Sequence, residues 1–364
     1  MLHQATISCC TSNLNPPVIK ITLDGIIFSL QRAGGISVYF RTLLESLSRE
    51  KFDATLIIEE PLSQQLDDYH ENISKLSRKA RRFERYRSCR LPEKKSIFHS
   101  SYYRLPENTN SPTVVTVHDF TYERFSRGPR KWAHSKQKFA AIRAAQAVIC
   151  VSEATRQDFI EFVGETKGQT VHVIHNGVGD IFQPAETGLN NKLFILFVGQ
   201  RAGYKNFKLV LSALRYLPDM DLYCVGGGAF KTYELNGFSD DLVKRVHHLG
   251  FVTDKELNAL YNNAVCLVYP SSYEGFGIPV IEAMRAGCPV VSSNCKAVLE
   301  VGGLALSVVF DDDPRVMSDA ILNTLSSSRI ALIQRGLAIA KDYSWDKTHR
   351  QTLDVYRILS ASVL

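Results

Sequence analysis

The sequence predicts an α/β protein built from two Rossmann-like domains that face each other across a cleft. Its length of 364 residues is too great for one ordinary core and suits two domains. Short apolar runs alternate with amphipathic stretches, which is typical of parallel strands joined by crossover helices. The pattern stops at a polar connector, Phe182–Asn191, and then restarts. Ligands of such folds usually lie in the cleft between the domains.

The strand candidates are short apolar runs on both sides of the connector. Before it they are VIKITLDG, FDATLIIE, SIFHS, PTVVTVHD, AQAVICVS and TVHVIHNGV, and after it KLFILFVG, DLYCVGGG, RVHHLGFV, AVCLVYPS, CPVVSS and ALSVVF. We therefore predict a disordered leader at 1–17, a first domain at 18–181 and a second domain at 182–345. Residues 346–364 are predicted to form a C-terminal helix that crosses back to the first domain.

The composition, 45% hydrophobic and 22% charged, is that of a globular protein. A formal net charge of +6 favours anionic ligands or an anionic surface, but it falls short of a nucleic-acid-binding composition. The sequence has no apolar run of about 18 residues, which a membrane span needs, and its start does not resemble a signal peptide. The eight cysteines include no CxxC pair, so we expect buried thiols in a reducing compartment and a cytoplasmic protein.

One stretch differs from the rest of the chain in its charge. Lys75–Lys95, here named the basic segment, holds ten Lys or Arg against two Glu, interleaved with Leu76, Phe83, Tyr86 and Leu91. Two interpretations stay open. The segment is either a solvated helix face or a basic amphipathic surface that contacts an anionic inner membrane leaflet or a lipid-phosphate acceptor. We expect no nucleic-acid partner, because no recognised nucleic-acid motif accompanies the charge.

The densest motif is Tyr269–Met284, YPSSYEGFGIPVIEAM. It predicts a strand, a glycine-rich loop and a helix that starts near Pro279 and ends at Gly287. Free backbone N–H groups and the helix dipole make such a helix N-terminus an anion site. Glu274 in the loop and Glu282 in the expected first helical turn bracket this site. Carboxylates beside a diphosphate are electrostatically unfavourable unless they bind something else, such as sugar hydroxyls.

This motif resembles the Glu-x7-Glu pattern of the retaining GT-B glycosyltransferases of family 4, P-S-x-x-E-G-F-G-x-P-x-x-E-A. The resemblance extends from about Val18 to Arg357, apart from the basic segment. It implies that Glu274 contacts the hydroxyls of the transferred sugar and that Glu282 holds the nucleotide ribose. The other motif residues that it implies to bind the donor are Gly275, Phe276, Gly277, Ile278 and Pro279.

A second cluster supplies positive charge. The stretch FVGQRAGYKN places Arg201 and Lys205 just beyond the first strand of the second domain. Departure of a nucleoside diphosphate builds negative charge on the leaving phosphate, and fixed cations can stabilise it. The stretch is similar to the family's G-x-x-x-x-x-K-N motif, which implies that Arg201 and Lys205 grip the diphosphate.

Weaker motifs follow in the family's order. The resemblance implies that Gly34 and Gly35, at the start of a helix, lie near the donor phosphate, and that His118 of the His118–Asp119 pair faces the reacting sugar. It also implies that the backbone of Phe251 and Val252 meets the base. Ser152 is predicted to cap a helix that places Arg156 near the acceptor, and Asn176–Gly177 is predicted to form a turn.

Two other patterns are given structural interpretations. Asp311–Asp313 looks like a DxD metal motif, but it follows a strand and precedes a helix, so we expect helix capping. Gly226–Gly228 lacks the spacing and the acidic residue of a dinucleotide fingerprint. We therefore expect no metal site and no bound cofactor besides the sugar-nucleotide co-substrate.

Taken with the resemblance, these motifs imply a retaining transferase. It would move a hexose to a growing glycan in O-antigen, lipopolysaccharide or capsule assembly. The first candidate for the donor is GDP-mannose, with mannose as the transferred sugar. The acceptor would bind the first domain and the donor the second. Three alternatives remain: a UDP- or dTDP-sugar-dependent transferase of the same family, a sugar-nucleotide epimerase with the same domains, and a catalytically silent nucleotide-sugar-binding protein.

Overall fold

Two parallel β-sheets form the framework of the molecule. The computed structural model describes residues 19–361 except 32–33, 51, 63–71, 94–95, 109 and 186–191, so the predicted leader lies outside the described residues. The first sheet has the strand order β3-β2-β1-β4-β5-β6-β7. Its strands are β1 (Lys20–Asp24), β2 (Asp53–Glu60), β3 (Ile73–Lys79), β4 (Ile97–Ser100), β5 (Thr113–Val117), β6 (Ala147–Cys150) and β7 (Thr170–Val173).

The second sheet follows in the chain and has the order β10-β9-β8-β11-β12-β13. Its strands are β8 (Leu193–Val198), β9 (Met220–Val225), β10 (Val246–Gly250), β11 (Leu267–Tyr269), β12 (Val290–Ser293) and β13 (Leu306–Val309). Every predicted apolar run contains one of these strands. The prediction of two Rossmann-like units is therefore confirmed, whereas the residue bounds of the two domains stay a prediction.

Helices cover both faces of each sheet. Those that follow the first series of strands are α1 (Ile27–Leu30), α2 (Gly35–Arg49), α3 (Thr121–Phe125), α4 (Pro129–Ala144) and α5 (Glu153–Phe162). Those of the second series are α6 (Phe207–Ala213), α7 (Thr232–Leu235), α8 (Asp240–Val243), α9 (Asp254–Asn263), α10 (Ile278–Arg285), α11 (Lys296–Gly302), α12 (Pro314–Asn323) and α13 (Ser328–Ala340). Because helices shield both faces, all five residues of β5 are buried, as in other parallel sheets. We call the two sheets with their helices the first and the second lobe.

The last helix, α14 (Trp345–Ala361), lies against the first lobe. Its Tyr356 hydroxyl is 2.5 Å from Nδ1 of His99 on β4, and its Thr352 hydroxyl is 3.3 Å from that of Tyr39 on α2. At the start of this helix, a Cβ added to Gly177 would lie 2.2 Å from the Trp345 nitrogen. The two chain crossings between the lobes therefore touch at Gly177, where a larger residue does not fit.

The described part of the basic segment is not an α-helix, so the helix in the interpretation as a solvated helix face is wrong, although most of these side chains are exposed to water. It begins in the edge strand β3, which pairs with β2, and continues through a 3₁₀ turn at Glu84–Tyr86. An edge strand takes its backbone hydrogen bonds from one neighbour and leaves most side chains in water. It therefore needs little apolar periodicity, and this is why the sequence analysis missed β3. Residues 94–95 of the segment lie outside the described residues.

A buried cluster fastens the basic segment to the first sheet. The Arg104 guanidinium donates to Asp24, Glu59 and Glu84 at 3.1–3.3 Å, and its side chain is 0% exposed. Burial raises the pKa of Asp24 to about 6 despite this cation. The turn that carries Glu84 is therefore held in a fixed place on the lobe.

The described cysteines are Cys89, Cys150, Cys224, Cys266, Cys288 and Cys295; all are free thiols and all are buried, as the sequence predicts. Cys9 and Cys10 lie outside the described residues. Among the helices of the described chain, none has both the length and the apolar character needed to cross a membrane.

Candidate active site between the lobes

The glycine-rich loop leads into α10 much as the sequence predicts. Gly277 precedes the helix with φ +103°, a backbone conformation that favours glycine, and Pro279 lies in the first turn. Gly287, with φ +77°, follows its end. One detail was wrong: the first turn holds no acidic residue, because the helix begins at Ile278 and Glu282 comes a turn later. The first-turn N–H groups of α10 are therefore free of a neighbouring carboxylate on the same turn.

Lys205 and Glu274 meet at this loop. Lys205 ends a 3₁₀ turn after β8, and its Nζ lies 2.5 Å from Oε1 of Glu274 and 3.3 Å from the Tyr269 hydroxyl. The two charged side chains are 11% and 13% exposed. A pair so shielded from water interacts more strongly than a surface pair. The structure thus brings together the cation and the carboxylate that the sequence analysis singled out.

Arg201 has a different set of partners. Its guanidinium donates to the backbone carbonyls of Gly226–Ala229 at 2.7–3.3 Å and to Oε1 of Glu234 at 2.8 Å. The side chain is 2% exposed, and it lies over the ring of Phe230 at 4.6 Å from the centroid. A Cβ on Gly227 would lie 2.8 Å from the guanidinium, so this loop needs glycine there. Arg201 holds the Gly226–Ala229 loop, and its predicted role on a diphosphate stays a prediction.

Glu282 is half-buried on α10. The Tyr261 hydroxyl donates to its Oε2 at 3.0 Å. Burial raises the pKa of Glu282 to about 7, and the hydrogen bond from Tyr261 offsets only part of that effect. A carboxyl group in this state can either donate or accept a hydrogen bond near neutral pH, which suits contact with hydroxyl groups.

His118 lies where β5 ends, on the first-lobe side of the cleft. The rings of Tyr39 and Phe40 meet its imidazole edge-on at 5.3 and 6.4 Å. Burial lowers the pKa of His118 to about 4, so the ring is neutral at pH 7. Its buried Nε2 has no hydrogen-bond partner within the part of the chain that the structure describes. A buried polar atom without a partner is unfavourable, so a hydrogen bond from a ligand to this nitrogen would stabilise the complex.

The loop of Glu274 lies directly against the loop of His118. A Cβ on Gly275 would fall 1.7 Å from the His118 carbonyl oxygen, so only glycine fits. On the other side, the Ser152 and Thr155 hydroxyls donate to the Gly275 carbonyl at 2.6 and 2.9 Å. Ser152 also caps α5, as predicted, by accepting from the Thr155 amide. The second lobe thus places Glu274 within the same cleft as His118.

The N-termini of α2 and α10 approach each other across this cleft. A Cβ on Gly35 would lie 3.4 Å from Cδ1 of Ile278. Gly34 immediately precedes α2 and occupies its N-cap position. A helix N-terminus carries the positive end of the helix dipole, so two of them close together favour a polyanion such as a diphosphate.

The aromatic and apolar residues predicted to bind the donor do not all line the site. Phe276 is 4% exposed and packs its ring against His175 and Tyr343, so its side chain belongs to the core. Phe251 is 73% exposed, and Val252 packs against the core of the second lobe.

Arg156 pairs with Glu153 at 3.0 Å on α5. Asp313 caps α12 by accepting from the Arg315 amide at 2.7 Å, as predicted.

Sequence reasoning missed several residues of the site. Glu234 holds Arg201, Tyr261 holds Glu282, and Tyr273 bridges the lobes through its hydroxyl. Glu300 accepts from the amides at the start of α5 and from His175. Only Tyr273 carried a signal, since it immediately precedes Glu274 in the motif. The others lie far along the chain from the groups they contact.

The chain matches two protein families. Residues 33–180 match the family described as Glycosyltransferase Family 4, and residues 180–334 match the one described as Glycosyl transferases group 1. Among relatives, the O-antigen chain mannosyltransferase B of Escherichia coli is 31% identical over 287 residues, which cover 72% of this chain and 74% of that protein.

Solved structures share the fold. Sucrose-phosphate synthase from Thermosynechococcus elongatus aligns with a TM-score of 0.76 at 18% identity, over 94% of this chain and all of that one (100%). Anabaena HepE in complex with UDP and glucose aligns with a TM-score of 0.68 at 15% identity, over 93% of this chain and 99% of that one.

Proposed function

This chain belongs to the family 4 glycosyltransferases of the GT-B fold, and on that premise we propose that it transfers mannose from GDP-mannose, with retention, to a growing cell-surface glycan. The observation that carries the proposal is the Lys205–Glu274 pair, whose carboxylate lies in the loop before α10, next to the Gly275 that packs on the His118 carbonyl. Such a site offers positive charge to a diphosphate and hydrogen-bonding groups to a sugar.

The leaving group is stabilised by fixed positive charge. As the bond between the anomeric carbon and the diphosphate oxygen breaks, negative charge grows on the phosphate. Lys205 and the N–H groups of α10 supply the opposing field in a site partly shielded from water. Removing one such preorganised donor typically costs ~100- to 1000-fold in rate. No divalent cation is required in this proposal.

The sugar is oriented by Glu274 and His118. When a donor draws Lys205 toward its phosphate, the Glu274 carboxylate is left to accept hydrogen bonds from sugar hydroxyls. Neutral His118 presents its unpartnered Nε2 to the same ring. Retention follows from a front-face route, in which the leaving phosphate oxygen takes the acceptor's proton while the acceptor oxygen bonds to the anomeric carbon. Correct orientation of both substrates then carries much of the rate enhancement.

Mannose as the transferred sugar is supported by the name of the Escherichia coli relative. The test is turnover of GDP-, UDP- and dTDP-sugars in the presence of a lipid-linked oligosaccharide acceptor, with the anomer of the product assigned by NMR. GDP-mannose turnover with an α-linked product, undiminished in excess EDTA, is expected. Turnover of another sugar nucleotide would contradict the donor, and an inverted product would contradict retention. Activity that returns only with Mg²⁺ or Mn²⁺ would contradict metal independence. An epimerised donor would show an epimerase instead of a transferase. Binding without turnover would favour a silent binding protein.

We also propose that the basic segment contacts the anionic membrane surface that displays the acceptor. Phe83 and Tyr86 are 63% and 45% exposed, and the guanidinium groups of Arg82 and Arg85 lie over their rings at 5.0 and 4.8 Å. Exposed aromatic rings next to cations suit the interface between lipid headgroups and water. Because Arg104 fastens this turn to the sheet, the surface is presented in one orientation.

A further inference from the structure

The hydroxyl of Tyr273 joins the two lobes immediately beside the proposed reaction centre. It accepts a hydrogen bond from the backbone N–H of Phe120 at 2.7 Å, and it donates one to Oδ2 of Asp158 at 2.6 Å. Tyr273 belongs to the glycine-rich loop of the second lobe, whereas Phe120 and Asp158 belong to the first. One side chain therefore makes two hydrogen bonds across the cleft.

Asp158 is well placed to hold this hydroxyl. It lies on α5 and is 8% exposed, and it forms an ion pair with Arg124, whose guanidinium also lies 5.5 Å from the centre of the Tyr273 ring. Burial, reinforced by the neighbouring carboxylate, raises the pKa of Tyr273, so its hydroxyl keeps its proton and donates it. Hydrogen bonds to a buried charged group are among the stronger ones in proteins.

The glycine-rich loop makes a second contact with the first lobe, at Gly275. Gly275 packs against the carbonyl of His118, and Tyr273 binds the amide of Phe120. Glu274 lies between these two contacts in the chain. Its position relative to His118 is therefore set from both sides, by a close backbone approach and by the Tyr273 hydroxyl.

We propose that Tyr273 and Asp158 are positioning residues that latch the lobes in the arrangement needed for sugar transfer. The latch holds Glu274 opposite His118 and keeps the cleft closed to water while the donor reacts. This proposal rests on the proposed function, because positioning matters only where Glu274 and His118 act on a bound sugar. Misplacement of reacting groups by about 1 Å can cost on the order of 100-fold in rate.

The first test is the kinetics of Tyr273→Phe with GDP-mannose and a lipid-linked acceptor. We expect kcat to fall about 10- to 100-fold while KM for GDP-mannose changes less than about threefold. The ratio of donor hydrolysis to transfer should rise, because a looser cleft admits water. Asp158→Asn, which keeps a hydrogen-bond acceptor, should retain more activity than Asp158→Ala. The matched control is Tyr216→Phe, which removes a hydroxyl that accepts from Arg315 inside the second lobe.

The second test needs no donor, and so it separates the latch from the proposed function. Hydrogen–deuterium exchange of the free protein reports on the Phe120 amide. Relative to the wild type, this amide should exchange at least about tenfold faster in Tyr273→Phe and at an unchanged rate in Tyr216→Phe. Unchanged exchange would overturn the latch whether or not GDP-mannose is turned over. Faster exchange with wild-type kcat and an unaltered hydrolysis ratio would overturn the positioning role. If the wild type fails to use GDP-mannose, the exchange result alone decides whether the latch exists.

Discussion

The regions around Arg201 and Lys205 come from one ten-residue stretch, yet they differ in what surrounds the cation. Arg201 is 2% exposed, and it is bound by Glu234 and by the carbonyls of Gly226–Ala229. Lys205 is 11% exposed, and it reaches Glu274 and one tyrosine hydroxyl at the edge of the cleft. In this structure the first cation supports a loop of the second lobe, and we expect the second, which has fewer partners, to exchange them when a ligand binds.

A sequence motif therefore shows where cations lie in the chain but not which groups they bind. The guanidinium fork of Arg201 can satisfy several carbonyls at once, whereas the ammonium of Lys205 acts as a mobile point charge on a flexible stem. Removing either cation leaves a shielded carboxylate behind. On the proposed function, loss of Lys205 also removes positive charge from the diphosphate site, and the sequence predicts the same for Arg201.

The largest expected effect is on stability and comes from Arg201. Replacement by Met should lower the free energy of unfolding by about 3 to 5 kcal/mol, because Glu234 is left buried without its cation. Urea denaturation of both proteins measures this. Lys208→Met, an exposed neighbour on α6, is the matched control and should change stability by less than about 0.5 kcal/mol. Wild-type stability combined with a collapsed kcat would instead support the diphosphate role that the sequence predicts for Arg201.

The next effect is on catalysis and comes from Lys205. Lys205→Ala should lower kcat ~100- to 1000-fold, equivalent to about 2.7–4 kcal/mol, because charge on the leaving phosphate is no longer opposed. Steady-state kinetics with GDP-mannose measures this, with Lys208→Ala as control. A near-normal kcat with only a raised KM would show that Lys205 binds the donor equally well in the ground state and the transition state. The regions around Arg201 and Lys205 would then differ only in how exposed the cation is.

Glu282 is a half-buried carboxyl group that pairs with a tyrosine hydroxyl rather than with a cation. Its pKa is raised to about 7 in the folded chain, so the folded state favours the protonated form. The protein should therefore lose stability as pH rises from about 4.5 to about 7, by roughly 3 kcal/mol from this group. Glu282→Gln should flatten that part of the pH–stability profile, measured by urea denaturation at several pH values. An unchanged profile would show that Glu282 is ionised at the lower pH.

Sequence analysis reached the parts of this site that depend on local backbone chemistry. Gly277, Pro279 and Gly287 set the start and the end of α10, because each has a conformational preference that neighbouring residues do not alter. The Glu234 partner of Arg201 and the hydroxyl bridge of Tyr273 were out of reach, since both depend on residues brought close only by the tertiary fold. β3 was missed for a similar reason: it is stabilised by pairing with β2, and its own sequence has no apolar alternation.

The smallest effect concerns cations that remain in water. Arg82 and Arg87 are exposed on the turn of the basic segment, so their loss should leave stability unchanged, in contrast to Arg201. On the proposal that this segment contacts a membrane, each should contribute about 1 kcal/mol to binding at an anionic bilayer, and salt should screen that attraction. Arg82→Ser with Arg87→Ser should therefore weaken co-sedimentation with phosphatidylglycerol vesicles, which itself should fade at high ionic strength. Replacing the exposed Lys244 and Lys255 of the second lobe by Ser is the control and should have no effect. Equal binding of the wild type to neutral vesicles, or none to anionic ones, would leave the charge of this segment without a membrane role.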